Sequence, residues 1–366
     1  MTDSDIINSL IKEAVDNGTR RAVIKRKENG SPWFIDRAIL VPSDFTLIVD
    51  DCIVQLAPGV KDNIIRNKGA VPCAVESNRN ITIKGKGKAI LCGGTESHYS
   101  PCRSGDTNGW RTIGILLVAV QNFAIENLTI RETQSWGVSI ESGSSNGVVR
   151  DLNFEDTDQN FNQDGVDIRR GCHDILIENI TGLVGDDAVA LTALRVLPGT
   201  KSSRQPPEAP YPESNEEAKQ LIEEKGRFAM ELGPSANDQN DDIYNITIRN
   251  IVARSVGGHG IIRLLCHDGI KMHHIKVTDV VDTANEKAGH KLCFATIRIG
   301  DKNYWSSYPT KLGDMHNITV SNVAANGKVG ITISGPLKDA SISNITTPPS
   351  IEKVKVSAEI ENVEIA

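Results

Sequence analysis

The sequence predicts an all-β chain wound into a single right-handed parallel β-helix, a solenoid with an N-terminal capping helix and one long inserted loop. Three observations predict it. A short phrase recurs: IENLTI at Asn127, VRDLNF at Asp151, IENITG at Asn179, IRNIVA at Asn250, VTDVVD at Asp279, VSNVAA at Asn322 and ISNITT at Asn344, with the closer copies 22 to 29 residues apart. Inside each phrase the apolar residues alternate with period two, which describes strands and no helix. Aromatic residues are only 4% of the chain against 31 glycines, a composition that suits many short strands joined by tight turns. A repeat of this length cannot bury its own apolar face, so successive turns must stack and share one core.

Each element follows in order. Residues 1–18, MTDSDIINSLIKEAVDNG, read as an amphipathic helix capped by Ser4 or Asp3, with Ile6, Ile7, Leu10, Ile11, Ala14 and Val15 as its buried stripe and Gly18 as its end. It would plug the open end of the solenoid, where unpaired strand edges invite pairing with other chains. Residues 45–57 and 80–94 read as the first turns. The rungs then run to about 345, with Asn or Asp at corners where the backbone turns left-handed. Two longer intervals, Asn179 to Asn250 and Asp279 to Asn322, mark either an inserted loop or a rung without the signature. The segment 194–242 is Pro-rich and then charged, with a helix expected near 214–225. Insertions of this length are usually functional or disordered. Its place directly after Asp186-Asp187 favours a loop over whatever that strand presents; a solubilising loop is the bland alternative. Residues 1–366 are expected to form one domain.

Bulk properties exclude several functions. A formal charge of −7 argues against general affinity for nucleic acid or an anionic membrane, and no apolar run is long enough to span a bilayer. The start lacks a basic segment followed by an apolar one, so a cytoplasmic location is expected, or secretion if a leader has been removed. The seven cysteines, scattered and without C-x-x-C spacing, read as buried free thiols. The N-x-S/T sequons at Asn80, Asn127, Asn179, Asn245, Asn317 and Asn344 follow from the turn phrase rather than from glycosylation. His273 and His274 fall side by side on an expected strand, where neighbours point to opposite faces, so a shared metal is not expected. No phosphate-binding loop and no serine elbow occur, and neither an organic cofactor nor a metal is implied.

The chemistry lies in FNQDGVDIRRGCHDILIENITGLVGDDAVALTA, residues 161–193. Asp164-Gly165 precedes V-D-I, and Asp187-Ala188 precedes V-A-L one repeat later. Equivalent residues on stacked parallel strands lie about 4.8 Å apart, so Asp164 and Asp187 would emerge at one edge with Asp186 beside them. Three neighbouring carboxyls cannot all ionise cheaply, and at least one should hold its proton. Glycosidic hydrolysis uses that situation, with an acid for the leaving oxygen and a carboxylate for the water. One turn on, SVGGHGIIRLL places His259 at the same pre-strand position between two glycines that allow close approach. One turn further, FATIRIG places Arg298 as a clamp for hydroxyl or carboxylate.

N-Q-D-G at 162–165, G-D-D at 185–187, G-G-H-G at 257–260 and R-I-G at 298–300 resemble the ordered motifs N-T-D, D-D, G-H-G and R-I-K of the polygalacturonase-like enzymes, glycoside hydrolase family 28. The resemblance implies inverting hydrolysis of a pectic or related oligo- or polysaccharide. It makes Asp186 the general acid, has Asp164 and Asp187 hold and activate the water, and has His259 tune the acid. Asn162 would orient the cluster and Arg298 bind substrate in the first negative subsite. The sequence departs from the pattern at Gln163, which replaces Thr, and at Gly300, which replaces the lysine. Lys302 and Arg263 are the candidate replacements for that charge; Arg169 and Arg170 are others, or else a solvated corner. Tyr304 and Tyr308 lie near the place of a later family tyrosine. Loss of the lysine leaves glycosidase chemistry better supported than a uronate substrate. Two further readings stay open: a calcium-dependent polysaccharide lyase with Arg298 as base, and a non-catalytic carbohydrate-binding β-helix whose acids cap rungs.

Overall fold

The computed structural model describes residues 1–60, 62–70, 76–94, 113–157, 162–193, 240–267, 269–301 and 309–366. They form a right-handed parallel β-helix of two sheets, one of 14 strands and one of 10. The long strands Ser145–Glu155, His173–Val184 and Ile243–Ser255 pair in direct succession. Each bends midway, at Asp151, Asn179 and Asn250, where φ is 56°, 57° and 55°. A long strand therefore lines two faces of the coil, and the 10-stranded sheet forms the third.

The recurring Asn or Asp is the device that makes this bend. A left-handed residue other than glycine costs roughly 1–2 kcal/mol. Here the side chains offset that cost by bonding along the coil axis: Asn179 Nδ2 donates to Asp151 Oδ1 at 2.7 Å, Asn250 to Asn179 at 2.7 Å, Asn322 to Asp279 at 2.9 Å and Asn344 to Asn322 at 2.7 Å. The long intervals are single rungs carrying insertions, because Ile180 pairs directly with Ile251 and Val280 with Val323. The insertion after Ala193 and its expected helix lie outside the described residues, apart from 240–242.

A second corner ladder escaped the repeat phrase. Asp44, Asn80, Asn122, Asn146, Asp174, Asn245, His274, Asn317, Asp339 and Asn362 all have φ between 49° and 58°. His274 occupies a corner place in it, which corrects the expectation that His273 and His274 point apart. The left-handed corner breaks the alternation, and their Nδ1 atoms come within 2.7 Å. His273 also stacks between Tyr244 and His316, with His173 beyond Tyr244.

The N-terminal helix runs Asp3–Asp16 and packs on the first rung. Its cap is Thr2, not Ser4 or Asp3: Thr2 and Asp5 exchange hydrogen bonds in a capping box. Ser4 is instead buried, donating to the Arg37 carbonyl. Ile7, Ile11 and Ala14 face the core, whereas Leu10 is exposed, so the buried stripe is narrower than expected. A complete rung, Arg21–Lys25, Trp33–Ile35 and Ile39–Val41, precedes the one expected to be first. The five described cysteines are buried and stand outside any disulfide. Among the described residues no helix is long and apolar enough to cross a membrane.

Inside the 10-stranded sheet, Ile140, Ile168, Leu191, Leu264, Ile299 and Ile333 form one continuous inward column of register partners, all fully buried. Truncating such a side chain costs about 2–5 kcal/mol. The column locks the register, and with it the neighbouring outward row Asp167, Ala190, Arg263 and Arg298.

Candidate active site

The site grows from that register. Val166 pairs with Val189 and Asp187 with Gly260. Asp164 and Asp187 therefore stand one rung apart, and Asp186 stands one rung from His259. The Gly165 N–H donates to the Asp187 carbonyl at 2.9 Å, and the Asp187 N–H donates to Asp164 Oδ1 at 2.8 Å. One oxygen from each of Asp164, Asp186 and Asp187 lies within 4.8 Å of the others.

Gln163, which replaces the family threonine, holds the corner that presents Asp186. Its side chain is fully buried and its Nε2 donates to the Thr133 carbonyl at 2.7 Å. Its own carbonyl accepts the N–H groups of Gly185 and Asp186 at 2.9 and 3.0 Å. The motifs marked it only as a departure from threonine, because its role is carried by backbone and by a contact to a distant turn. Asn162 opens the same turn in the left-handed region at φ 57°.

Burial grades the cluster. Asp164 and Asp187 are 4% and 2% exposed, while the Asp186 side chain keeps 14% and His259 42%. The cluster thus opens toward solvent through the Asp186–His259 side, where His259 Nδ1 sits 3.3 Å from Asp186 Oδ1. The backbone N–H of His259 donates to Ser255 Oγ at 3.0 Å. Gly260 is required by space: a Cβ there would lie 2.6 Å from Asp187 Oδ1 and 3.5 Å from Arg298 Cδ.

Burial, followed by the charges of Asp186, Asp167 and Asp187, pushes the Asp164 carboxyl well above the usual range, against the lowering effect of the Asp187 N–H. Burial thus favours a proton retained within the cluster, with Asp164 the carboxyl pushed above the usual range. Asp187 Oδ1 is buried and accepts no hydrogen bond from any described residue, while its Oδ2 lies 3.6 Å from Arg263 Nη1. The three carboxyls are also spaced as a divalent cation would need.

Arg263 and Arg298 are direct register partners, and both turn to Asp301. Arg263 Nη2 donates to Asp301 Oδ2 at 2.6 Å, and Arg298 Nη2 to Asp301 Oδ1 at 3.1 Å. Lys302, Tyr304 and Tyr308 lie outside the described residues. Arg169 is buried with its guanidinium 4.6 Å over the Trp136 ring, so it is not a solvated corner. Two residues beside the site were missed by sequence reasoning, Asp301 and Phe294. Phe294 is 55% exposed and presents its ring edge-on to His259 at 6.0 Å. An aromatic residue left in water is the signal that could have found it, but exposure is a tertiary property.

Residues 50–197 match the model for glycosyl hydrolases family 28. That span contains Asn162, Asp164, Asp186 and Asp187; His259 and Arg298 lie beyond it and join the site through rung register. No curated protein sequence matches the chain. Among solved structures, a hyperthermoactive exopolygalacturonase from Thermotoga maritima aligns over 97% of this chain and 87% of its own, with 14% identity and a TM-score of 0.55. A double mutant of the tailspike protein of E. coli bacteriophage HK620, solved in complex with a pentasaccharide, aligns over 99% of this chain with 13% identity and a TM-score of 0.63. A mutant of the same tailspike in complex with a hexasaccharide gives 12% identity and a TM-score of 0.59 over 99% of this chain. The chain spans 61–62% of the length of those tailspike chains. At such identities the likeness is one of fold, and the resemblance to family 28 rests on the family match and the motifs.

Proposed function

We propose that the chain is an inverting glycoside hydrolase acting on an O-glycosidic bond of a pectic or related oligosaccharide. The observation that carries this reading is the packing of Asp164, Asp186 and Asp187 within 4.8 Å on adjacent rungs, inside the span that matches family 28. Like charges this close keep a proton in the cluster at neutral pH, and Asp164 is the buried group that favours it. Asp186, the least buried of the three and the one facing His259, takes up this shared proton and delivers it to the leaving oxygen. Asp187 Oδ1 supplies a buried acceptor for the attacking water, with Asp164 completing the water's position. His259 orients Asp186 and takes part in its reprotonation.

The stereochemical outcome is where geometry presses hardest on this reading. Inverting carboxyl pairs usually stand about 6.5–9.5 Å apart and retaining pairs about 5 Å, and this cluster is tighter than the first range. Inversion is carried by the resemblance, with the water held beside the cluster instead of between two distant carboxyls. Proton NMR of the first-formed anomer tests it. A retained anomer would reassign one carboxyl as nucleophile.

Reducing-end release from pectic, galactan and rhamnose-containing oligosaccharides, by the wild type and by Asp186→Asn, tests the hydrolase itself. The cation-like spacing of the three acids favours one rival, the metal-dependent lyase. That reading predicts an ultraviolet-absorbing unsaturated product whose formation stops with EDTA, and such a result would replace the hydrolase.

A further inference from the structure

The geometry points to Asp301 as a built-in carboxylate that occupies the arginine pair beside the acid cluster, so that the adjoining subsite accepts a neutral pyranose and disfavours a uronate. This rests on the glycosidase reading and names its substrate class.

Register places Arg263 and Arg298 side by side on neighbouring rungs, on the outward row next to the buried Leu264–Ile299 column. Two guanidiniums so placed form a fork that would grip a sugar carboxylate from outside. Asp301 takes that position from within the chain: its Oδ2 accepts from Arg263 at 2.6 Å, and its Oδ1 accepts from Arg298 at 3.1 Å. The three side chains are only 11%, 16% and 17% exposed, so this is a largely desolvated bridge rather than a surface ion pair. Arg263 also reaches toward Asp187 at 3.6 Å, which makes the bridge continuous with the acids.

The backbone enforces the arrangement. Gly300 has φ +68°, and a Cβ on it would lie 2.5 Å from the Gly335 Cα. A lysine cannot stand at this position without moving the next rung. The turn made there by glycine sends the following residue, Asp301, back onto the two arginines. The sequence R-I-G-D therefore exchanges an external charge reader for an internal counter-ion. A uronate on this fork would have to displace Asp301 and would bring its charge up to the neighbouring acid cluster.

Phe294 offers a further contact, with the Lys328 ammonium 5.5 Å from its ring. Its exposed ring lies beside both His259 and the Arg298 guanidinium, the latter 6.0 Å from the ring. A flat apolar face in this position suits the C–H face of an uncharged pyranose.

The test uses digalacturonate and the galactose disaccharide that differs from it only in bearing CH2OH for the carboxylate. Binding is measured by calorimetry on Asp186→Asn, with and without the added change Asp301→Asn, and turnover is measured on the wild type. The neutral disaccharide should bind more tightly than the uronate by on the order of tenfold or more, and Asp301→Asn should narrow that ratio by raising uronate affinity. Tighter binding of digalacturonate to the Asp301-containing protein, or an equal loss on both ligands in the double variant, would overturn the inference. Binding of neither ligand at millimolar concentration would overturn it too. Should the double variant fail to fold, the ratio in Asp186→Asn alone decides. Preference for the neutral ligand without wild-type turnover would sink the hydrolase and leave the subsite standing.

Discussion

The two halves of the site face start from the same predicament and leave it by different routes. In the carboxyl half, stacking brings Asp164, Asp186 and Asp187 together as like charges. In the guanidinium half, the same stacking sets Arg263 directly beside Arg298. The first is resolved by burial and proton retention at Asp164, the second by an internal counter-ion, Asp301. A retained proton is mobile and can be handed to a substrate, whereas a bridged ion pair is spent on structure. Rung register thus decides which groups meet, and a third partner decides whether the meeting is reactive.

That contrast can be broken at its reactive end first. Asp186→Asn should lower kcat/KM by on the order of 10³–10⁴, with circular dichroism and melting unchanged. An active variant would reduce the carboxyl half to scaffolding. At the other end, Arg263→Met should leave Asp187 and Asp301 largely buried without their shared cation, and should destabilise the fold by about 3 kcal/mol in chemical denaturation. A neutral result would mean that the bridge is not structural.

His259→Gln should cost roughly tenfold to a hundredfold in kcat/KM, since it touches Asp186 without carrying the reaction alone. Asp164→Asn should abolish turnover and also change the stability profile. Its folded pKa lies above the unfolded one, so the native state binds the extra proton and loses stability as pH rises from about 4 through the folded value. The asparagine variant escapes that loss. Its melting temperature should therefore match the wild type near pH 4 and exceed it increasingly as pH rises, until the folded value is passed. A constant difference would place the proton elsewhere. The smallest effect is expected at the ring column on the second corner ladder: His273→Ala should cost about 0.5–1 kcal/mol and leave kcat/KM unchanged.

Much of this was legible because a solenoid is nearly one-dimensional. The spacing from Asp164 to Asp187 equals one rung, so pairing them needed only the repeat length and the pleat. The same counting placed His259 and Arg298 one and two rungs further on, but it set His259 opposite Asp187, where Gly260 stands; His259 falls opposite Asp186, one residue earlier. The counting failed where a corner breaks the pleat. His274 sits at a left-handed residue, so period two no longer says where its ring points. It also failed at the first rung, because Trp33–Ile35 and Ile39–Val41 are too short and lack the corner phrase.

By itself, then, the sequence determined the coil, the order of its rungs and which of them carry the acids, His259 and Arg298, because hydrogen bonding between neighbouring strands turns a repeat length into adjacency. Tertiary structure alone decided that burial pushes the Asp164 carboxyl above the usual range, that Asp301 returns to the arginines past the Gly300–Gly335 contact, and that Phe294 stays in water. Those three depend on burial and on contacts between segments that no local period encodes, since desolvation and charge pairing are set by everything packed around a group rather than by its place in the chain.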